Sequence, residues 1–412
     1  MNTPLFTRRE FLQTLTLAGL SMSLPAFLVD SLPAQSSTAT KGEAEKILVV
    51  LQLGGGNDGL NAVVPYADDL YHSQRKGLAL AKENLLVLDD HHGLNKGLTP
   101  LKELFDAGQL ALVHGVGYPN PNRSHFRSME IWQTAVDSDR YSNSGWVGRY
   151  FDNCCGGAPP AVRAVNVGKE APQAFTGKKG VGVSFEQPAQ FGWANDRGTP
   201  GRLAFNALNH TADDHHAEGA TIDFLRHTTA NAMTSSDQVL RAGKTGRKGV
   251  DYPNSRLAGQ LKTIATLIAG GLPTKLYYTS MTGFDTHANQ LGQHENLLRQ
   301  FAGATQAFMA DLKAIGVADR VQIMCFSEFG RRVEANGSRG TDHGTAGPMF
   351  LLGAGIKPGI HGKPCDLGNL DEGDLKHTVD FRSIHAEVVR KWLGGDAKAV
   401  LGRDWPELGV LA

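Results

Sequence analysis

The sequence predicts an α/β fold, a three-layer αβα domain built on a mainly parallel central sheet. Two observations predict it. Short apolar runs of strand length recur along the chain, and longer stretches with helical periodicity lie between them. No internal repeat breaks the alternation. At 412 residues, with 41% hydrophobic and 20% charged residues, the chain has material for one large core or two modest ones.

Residues 1–39 stand apart from this pattern. TRREFLQ (7–13) sets Arg8 and Arg9 ahead of the uncharged LTLAGLSMSLPAFLV, which is too short to span a bilayer. That is the pattern of a twin-arginine signal peptide, with an amphipathic surface helix as the alternative. A cut after Ala34 or Ala39 would leave a loose mature N-terminus. Residues 40–412 are expected to form a single α/β domain whose fold begins near Lys46. No later segment is long and apolar enough for a membrane helix. The expected location is therefore periplasmic or secreted, reached through the twin-arginine translocase, without stable membrane insertion.

KILVVLQL (46–53), ALVHGV (111–116), KLYYTSM (275–281), VQIMCF (321–326) and MFLLGAGI (349–356) read as strands. Residues 289–316 read as a helix, with Leu297, Leu298, Phe301, Phe308 and Leu312 near one face and Gly316 as its stop. Strand, helix, strand in that order implies a parallel crossover. Residues 255–271 form a second helix, and 380–395 a closing one with Ile384, Val388 and Trp392 on one side. Residues 156–250 are rich in Gly, Ala and polar residues and read as an insertion or cap more than as central sheet.

Lys and Arg together number 41, as do Asp and Glu, so no basic field gathers nucleic acid and no such partner is expected. Four cysteines are too sparse for a disulfide framework, and none has zinc-site spacing. Cys325 reads as a core residue. A bridge through Cys365, Cys154 or Cys155 is permitted in an oxidising compartment.

Open α/β sheets place ligands beyond the carboxyl ends of their strands, so the residues following each apolar run carry the functional signal. Asp58 follows the first run, Asp285 and His287 the third, and Glu328 the fourth. Asp342 and His343 lie in the next connection. Clustered carboxylates repel unless a cation neutralises them. Mixed Asp, Glu and His ligands suit zinc, manganese or iron, and an all-oxygen subset suits calcium or magnesium. Two ions about 4 Å apart would orient a nucleophile and stabilise both oxygens of an ester.

Each residue has a structural alternative. Asp58 makes a turn, Asp285 caps a helix, and Glu328 pairs with Arg331 or Arg332. His294, seven residues after His287, reads as a surface or capping residue, with a further metal ligand as the alternative. RSHFRS enters a helix, where backbone amides with Arg123 and Arg127 favour an anion. Ser124, or after it Ser128, is the candidate nucleophile, and the N-cap is the competing role for Ser124. For His125 the sequence leaves three roles open: holding a leaving group, binding metal or neither. GGGNDG also matches a dinucleotide-binding turn, but Pro65 interrupts the helix that should follow, and Asp89 and Asp90 come too late for the acidic partner.

LVVLQLGGGNDGLNAVVPY, NRSHFRSMEIWQT, FDTHANQ and FSEFGRRVEANGSRGTDHGTAG, with the twin-arginine leader, resemble the bacterial exported proteins grouped as domain of unknown function 1501. The resemblance covers nearly the whole mature chain. That family is considered a distant relative of the alkaline phosphatase and sulfatase superfamily, which implies an alkaline phosphatase/sulfatase-like sheet with a one- or two-metal hydrolytic centre. It implies Asp58 as the first-strand metal aspartate, Asp285 and His287 as an aspartate–histidine pair, Glu328 as a ligand with Phe329 in a histidine's place, and Asp342 and His343 as the late ligand segment. The short Asp285-Thr-His287 spacing and the lack of a plain nucleophile motif leave the number of metals and the catalytic cycle open.

The expectation is an exported metal-dependent hydrolase of phosphate or sulfate esters, acting on a small-molecule or polymer-borne anionic ester. Zinc, manganese or calcium would be held by Asp58, Asp285, His287, Glu328, Asp342 and His343. Ser124 and His125 would be catalytic, and Arg123, Arg127 and Arg331 would bind substrate. The alternatives are a noncatalytic envelope binding protein that retains the fold and, third, a nicotinamide or flavin oxidoreductase.

Overall fold

Eight residues, Ile47–Gly54, run as a strand buried along its whole length (β1). A strand with no polar face belongs in the middle of a sheet covered on both sides. Its alternate side chains divide accordingly. Val49, Leu51 and Leu53 enter one apolar core with residues of helices Arg256–Ala269 and Gln290–Ile315. Leu48 and Val50 enter another with helices His125–Thr134, Trp146–Cys154 and Phe381–Glu387. Three layers, αβα, follow from that alternation.

The computed structural model describes residues 45–154, 161–178, 182–191, 234–246 and 249–412. The chain divides into two compact units, one of Glu45–Phe191 with Asp237–Ala412 and one of Met1–Ala44 with Gly192–Ser236. The three layers belong to the first unit. The twin-arginine signal expected in residues 1–39, and most of the expected insertion, lie outside the described residues.

After β1, the short strands β2 (Val63–Val64), β3 (Leu85–Val87) and β4 (Gly93–Asn95) form a small antiparallel sheet of their own. The main sheet continues with β5 (Leu110–Gly117), β6 (Ala164–Val167), β7 (Val183–Phe185), β8 (Leu276–Thr282), β9 (Val321–Phe326), β10 (Gly347–Gly353) and β11 (Gly359–His361). A two-residue pair, β12 (Leu370–Asp371) with β13 (Asp374–Leu375), precedes β14 (Val379–Asp380), which returns to β5. The order in the main sheet is β11-β5-β10-β9-β1-β8-β6-β7.

β8 and β9 flank β1, both parallel to it, so helix Gln290–Ile315 is the crossover between them. That helix turns Gln290, His294, Leu298, Phe301, Phe308 and Leu312 inward and ends at Gly316 in the left-handed region (φ 79°). β10 is the exception in a mainly parallel sheet, antiparallel to both β9 and β5. The connection from β9 to β10 contains no helix to carry a crossover, so the chain turns back instead. This frees residues 327–346 to cover the edge of the sheet.

One expectation changes. Residues 161–191, assigned to an insertion or cap, supply β6 and β7, which extend the central sheet in parallel beyond β8. Strands of four and three residues flanked by Gly and Pro present too short an apolar run to stand out, and pairing with β8 completes them. The closing helix also differs: Phe381–Glu387 is α-helical, and Val388–Trp392 continues as a π-turn. Cys325 is fully buried within β9, where burial pushes its thiol well above the usual range.

Candidate metal centre

β1, β8 and β9 are parallel, so their carboxyl ends share one edge. Beyond β1 come Gly55 (φ 115°) and Gly56 (φ 76°). A Cβ on Gly55 would sit 2.5 Å from Asp285 N, and one on Gly56 would sit 2.3 Å from a Phe329 ring carbon. Glycine at both positions is what lets the loops after β8 and β9 close against the end of β1. β8 leads into Asp285 and His287, and β9 into Ser327 and Glu328. His125 opens helix His125–Thr134. An isolated antiparallel bridge between Arg331 and His343 folds Asp342 and His343 back over the same edge.

Asp285 is the hub. Its Oδ1 lies 3.0 Å from Nε2 of His343 and 3.0 Å from Nε2 of His287, and its Oδ2 lies 3.5 Å from Nε2 of His125. The Nε2 atoms of His287 and His343 are themselves 3.0 Å apart. Each imidazole has its other nitrogen against an acceptor. Nδ1 of His125 meets Glu328 Oε1 at 2.9 Å, Nδ1 of His343 meets the Arg123 carbonyl at 2.8 Å, and Nδ1 of His287 faces Asp342 Oδ1 at 3.4 Å. Where Nδ1 donates and the ring is neutral, Nε2 is left with a lone pair for a cation; where the ring is protonated, Nε2 donates to Asp285. Three Nε2 atoms thus converge on one carboxylate, an arrangement that a cation or shared protons must stabilise.

His125, Asp285 and His343 fit a metal ion. Their ligand atoms lie within 4.8 Å of one another. Nε2 of His125 is buried with no hydrogen-bond partner among the described residues. Glu328 holds His125 by Nδ1, as carboxylates behind metal-binding histidines do, and that hydrogen bond raises the proton affinity of His125 against the opposing effect of burial. Burial alone would raise the Asp285 carboxyl as well. Hydrogen bonds from Arg331 and His343, with the charges of Arg331 and His287, outweigh it and hold the group at about 2.

Arg331 lies beneath this cluster with its side chain fully buried. Its Nη2 is 2.6 Å from Asp285 Oδ1 and 2.9 Å from the Phe284 carbonyl, and it also donates to Gly55 O. Nε donates to Gly56 O at 2.7 Å and Nη1 to Thr341 O at 3.0 Å. Expected as a substrate contact, Arg331 is instead spent on the loops that build the edge.

Other expected residues are also placed elsewhere. Asp58 lies outside the cluster, its side chain fully buried, with Arg75 Nη1 2.6 Å from Oδ2 and Gln290 donating to the same oxygen. Burial raises its carboxyl, but the charges of Arg75 and His294 and these hydrogen bonds bring it below the ordinary range. Glu328 stands behind His125, with Oε1 also accepting from Gly55 N at 2.8 Å. Arg123 pairs with Asp374 at 3.2 Å. Arg127 pairs with Glu130 at 2.6 Å, donates to the carbonyls of Ser138 and Arg140, and stacks on Tyr141. Ser128 is buried and bonded to Tyr118 at 2.8 Å and to the Glu328 carbonyl. Ser124 occupies the N-cap position and is exposed, but its hydroxyl makes no capping bond.

The sequence reading missed two participants. Arg75 gives no signal in SQRKG, because its role depends on a tertiary approach to Asp58. His294, expected at the surface, is buried and lies 2.9 Å from Asn57 Oδ1. Its position four residues before Leu298 and four after Gln290 places it on the inward helix face, which is a signal present in the sequence. The dinucleotide reading of GGGNDG finds no support in the fold. The glycines admit neighbouring loops, and the helix that follows, Gly59–Ala62, has only four residues.

Over residues 45–405 the chain matches the family described as protein of unknown function (DUF1501), and it belongs to that family. Among curated proteins, none matches it in sequence. Solved structures to which it is similar include the lipoteichoic acid synthase LtaP from Listeria monocytogenes, at 9% identity and a TM-score of 0.35, over 89% of this chain and 74% of that one. The periplasmic domain of EptC from Escherichia coli in complex with zinc is similar at 11% identity and a TM-score of 0.31, over 76% of this chain and 74% of that one. The sulfatase PsFucS1 from a Pseudoalteromonas species is similar at 11% identity and a TM-score of 0.35, over 79% and 66%.

Proposed function

We propose that this member of the family is a metal-dependent hydrolase of phosphate or sulfate esters, with a divalent cation held by His125, Asp285 and His343. One observation carries the reading: two imidazole nitrogens and a carboxylate oxygen lie within 4.8 Å of one another around a half-exposed aspartate. Two imidazoles favour zinc or manganese over calcium, which takes an all-oxygen shell. Held there, such an ion would supply Lewis-acid chemistry toward an ester oxygen and would lower the pKa of water.

The chain's own groups prepare that position. Glu328 fixes the ring of His125 so that Nε2 faces Asp285, and Asp342 does the same for His287 at longer range. His287, its side chain 44% exposed, is placed to give a proton to a leaving oxygen. Ser124 directly precedes His125 with a hydroxyl not used in capping, and it is the candidate nucleophile of the chain itself. Arg8 and Arg9 ahead of the uncharged residues 15–29 support twin-arginine export as part of this reading. No helix among the described residues is long and apolar enough to cross a membrane.

A second reading, an envelope protein that binds metal and partner without catalysis, draws on the arginines. Arg123, Arg127 and Arg331 are all engaged with protein acceptors, so none stands ready for an anion. Elemental analysis of the purified protein, with aryl phosphates and sulfates as substrates, separates the two. The hydrolase reading expects bound metal and turnover, both lost in His125→Ala. Metal without turnover on any of these esters selects the binding protein, and protein without metal defeats both.

A further inference from the structure

We propose, building on the metal-centre reading above, that the guanidinium of Arg331 serves as the second cation of this site, so that the cluster takes one divalent ion and not two. The surroundings of Arg331 resemble the coordination shell of a hard cation. Nη2 alone is met by the Asp285 carboxylate and the carbonyls of Gly55 and Phe284, and the rest of the fork by the carbonyls of Gly56 and Thr341. Carboxylate and carbonyl oxygens gathered from separate loops are the ligands that a protein offers to a divalent ion. In this fold a fixed, permanently charged side chain has taken that place.

The local charge supports the same count. Asp285, Glu328 and Asp342 bring three negative charges to the imidazole cluster, and Arg331 brings one positive, leaving two. One divalent ion cancels them. A second would leave an excess positive charge against a guanidinium that cannot release its proton and is fully buried. Gly55 and Gly56 reinforce the arrangement, because their carbonyls reach Arg331 only where the β1 end packs tightly on the neighbouring loops.

The test is the zinc content of the full chain. Chelated protein is titrated with zinc chloride by calorimetry, desalted and analysed for metal, with His125→Ala marking which ions belong to the cluster. One zinc per chain, lost in His125→Ala, is the expected result. Two zinc ions per chain, both lost in that variant, overturn the inference while leaving the metal centre standing. No zinc defeats the metal-centre reading itself.

Arg331→Met supplies a second readout. Where circular dichroism shows it folded, its affinity for the single zinc should rise at least about tenfold, since a positive charge beside a liganding carboxylate has gone. A purely structural latch would leave affinity unchanged or lower it, and either outcome overturns the proposal. Should Arg331→Met fail to fold, the zinc count of the native chain decides alone.

Discussion

Asp58 and Asp285 follow neighbouring parallel strands, and each has an arginine nitrogen 2.6 Å from one carboxylate oxygen. Their fates differ. The Asp58 side chain is 0% exposed and that of Asp285 is 47% exposed. Arg75, the partner of Asp58, also donates to the carbonyls of Arg332 and Val333 and closes its aspartate into the protein, with Gln290 on the same oxygen. Arg331 approaches Asp285 from the buried side and leaves the other oxygen facing His125. An arginine partner therefore does not decide whether a carboxylate is structural. The side from which it approaches does.

Replacing each aspartate by asparagine tests this contrast most strongly. Asp58→Asn leaves the Arg75 charge buried and unpaired, and urea unfolding should show a loss of about 3–5 kcal/mol, with zinc binding by the folded fraction retained. Asp285→Asn should cost less stability and abolish metal binding. The contrast breaks if Asp58→Asn folds normally but loses its metal, or if Asp285→Asn is the more destabilising of the two. A smaller effect is expected for Glu328→Gln, which loosens the hold on His125. Zinc affinity measured by calorimetry should fall about 10–100-fold, and an unchanged affinity would show that the Glu328–His125 contact does not orient the ligand.

The last effect concerns pH and is read as a slope, within the buried surroundings of Asp58. Burial lowers His294, against the opposing charge of Asp58, from 6.5 to about 4. Between those values the unfolded chain binds the proton and the folded chain does not, so stability falls as pH drops through that window and levels off below it. His114 and His385, also lowered to about 4 by burial, add to the same slope. The depressed carboxyl of Asp58 acts lower. Its contribution is intact above the ordinary carboxylate value of 3.8 and is lost only as pH falls below that. His294→Gln should therefore flatten the slope of the unfolding free energy between pH 6.5 and 4, measured by urea unfolding, by at most about 1.4 kcal/mol per pH unit, and leave the loss below pH 4 in place.

The parts of this molecule legible in the sequence are those where local pattern and burial coincide. β1 and β9 are continuous apolar runs, and helix Gln290–Ile315 shows its face and its glycine stop. The convergence of Asp285, His287, Glu328, Asp342 and His343 followed from their places after parallel strands. β6 and β7 were hidden because short strands derive their identity from a neighbour. The direction of β10 was hidden because orientation is not a composition. Asp58 and Arg331 were misplaced for one physical reason: whether a charged side chain faces solvent or the interior depends on loops distant in sequence.

That distance has a consequence for how the protein is made. The hydrogen bond from Arg331 to Gly55 joins residues 276 apart, and that from His125 to Glu328 joins residues 203 apart. β1 has both its sheet neighbours, β8 and β9, in the second half of the chain. A ribosome adding about 5–20 residues per second releases β1 on the order of ten seconds or more before β9 exists to pair with it. During that interval a strand buried along its whole length has no native partner, and its pairing waits on long-range, slow closure. No half-built centre can precede the sheet, and a chain broken off before Arg331 retains none of the latch that joins its loops.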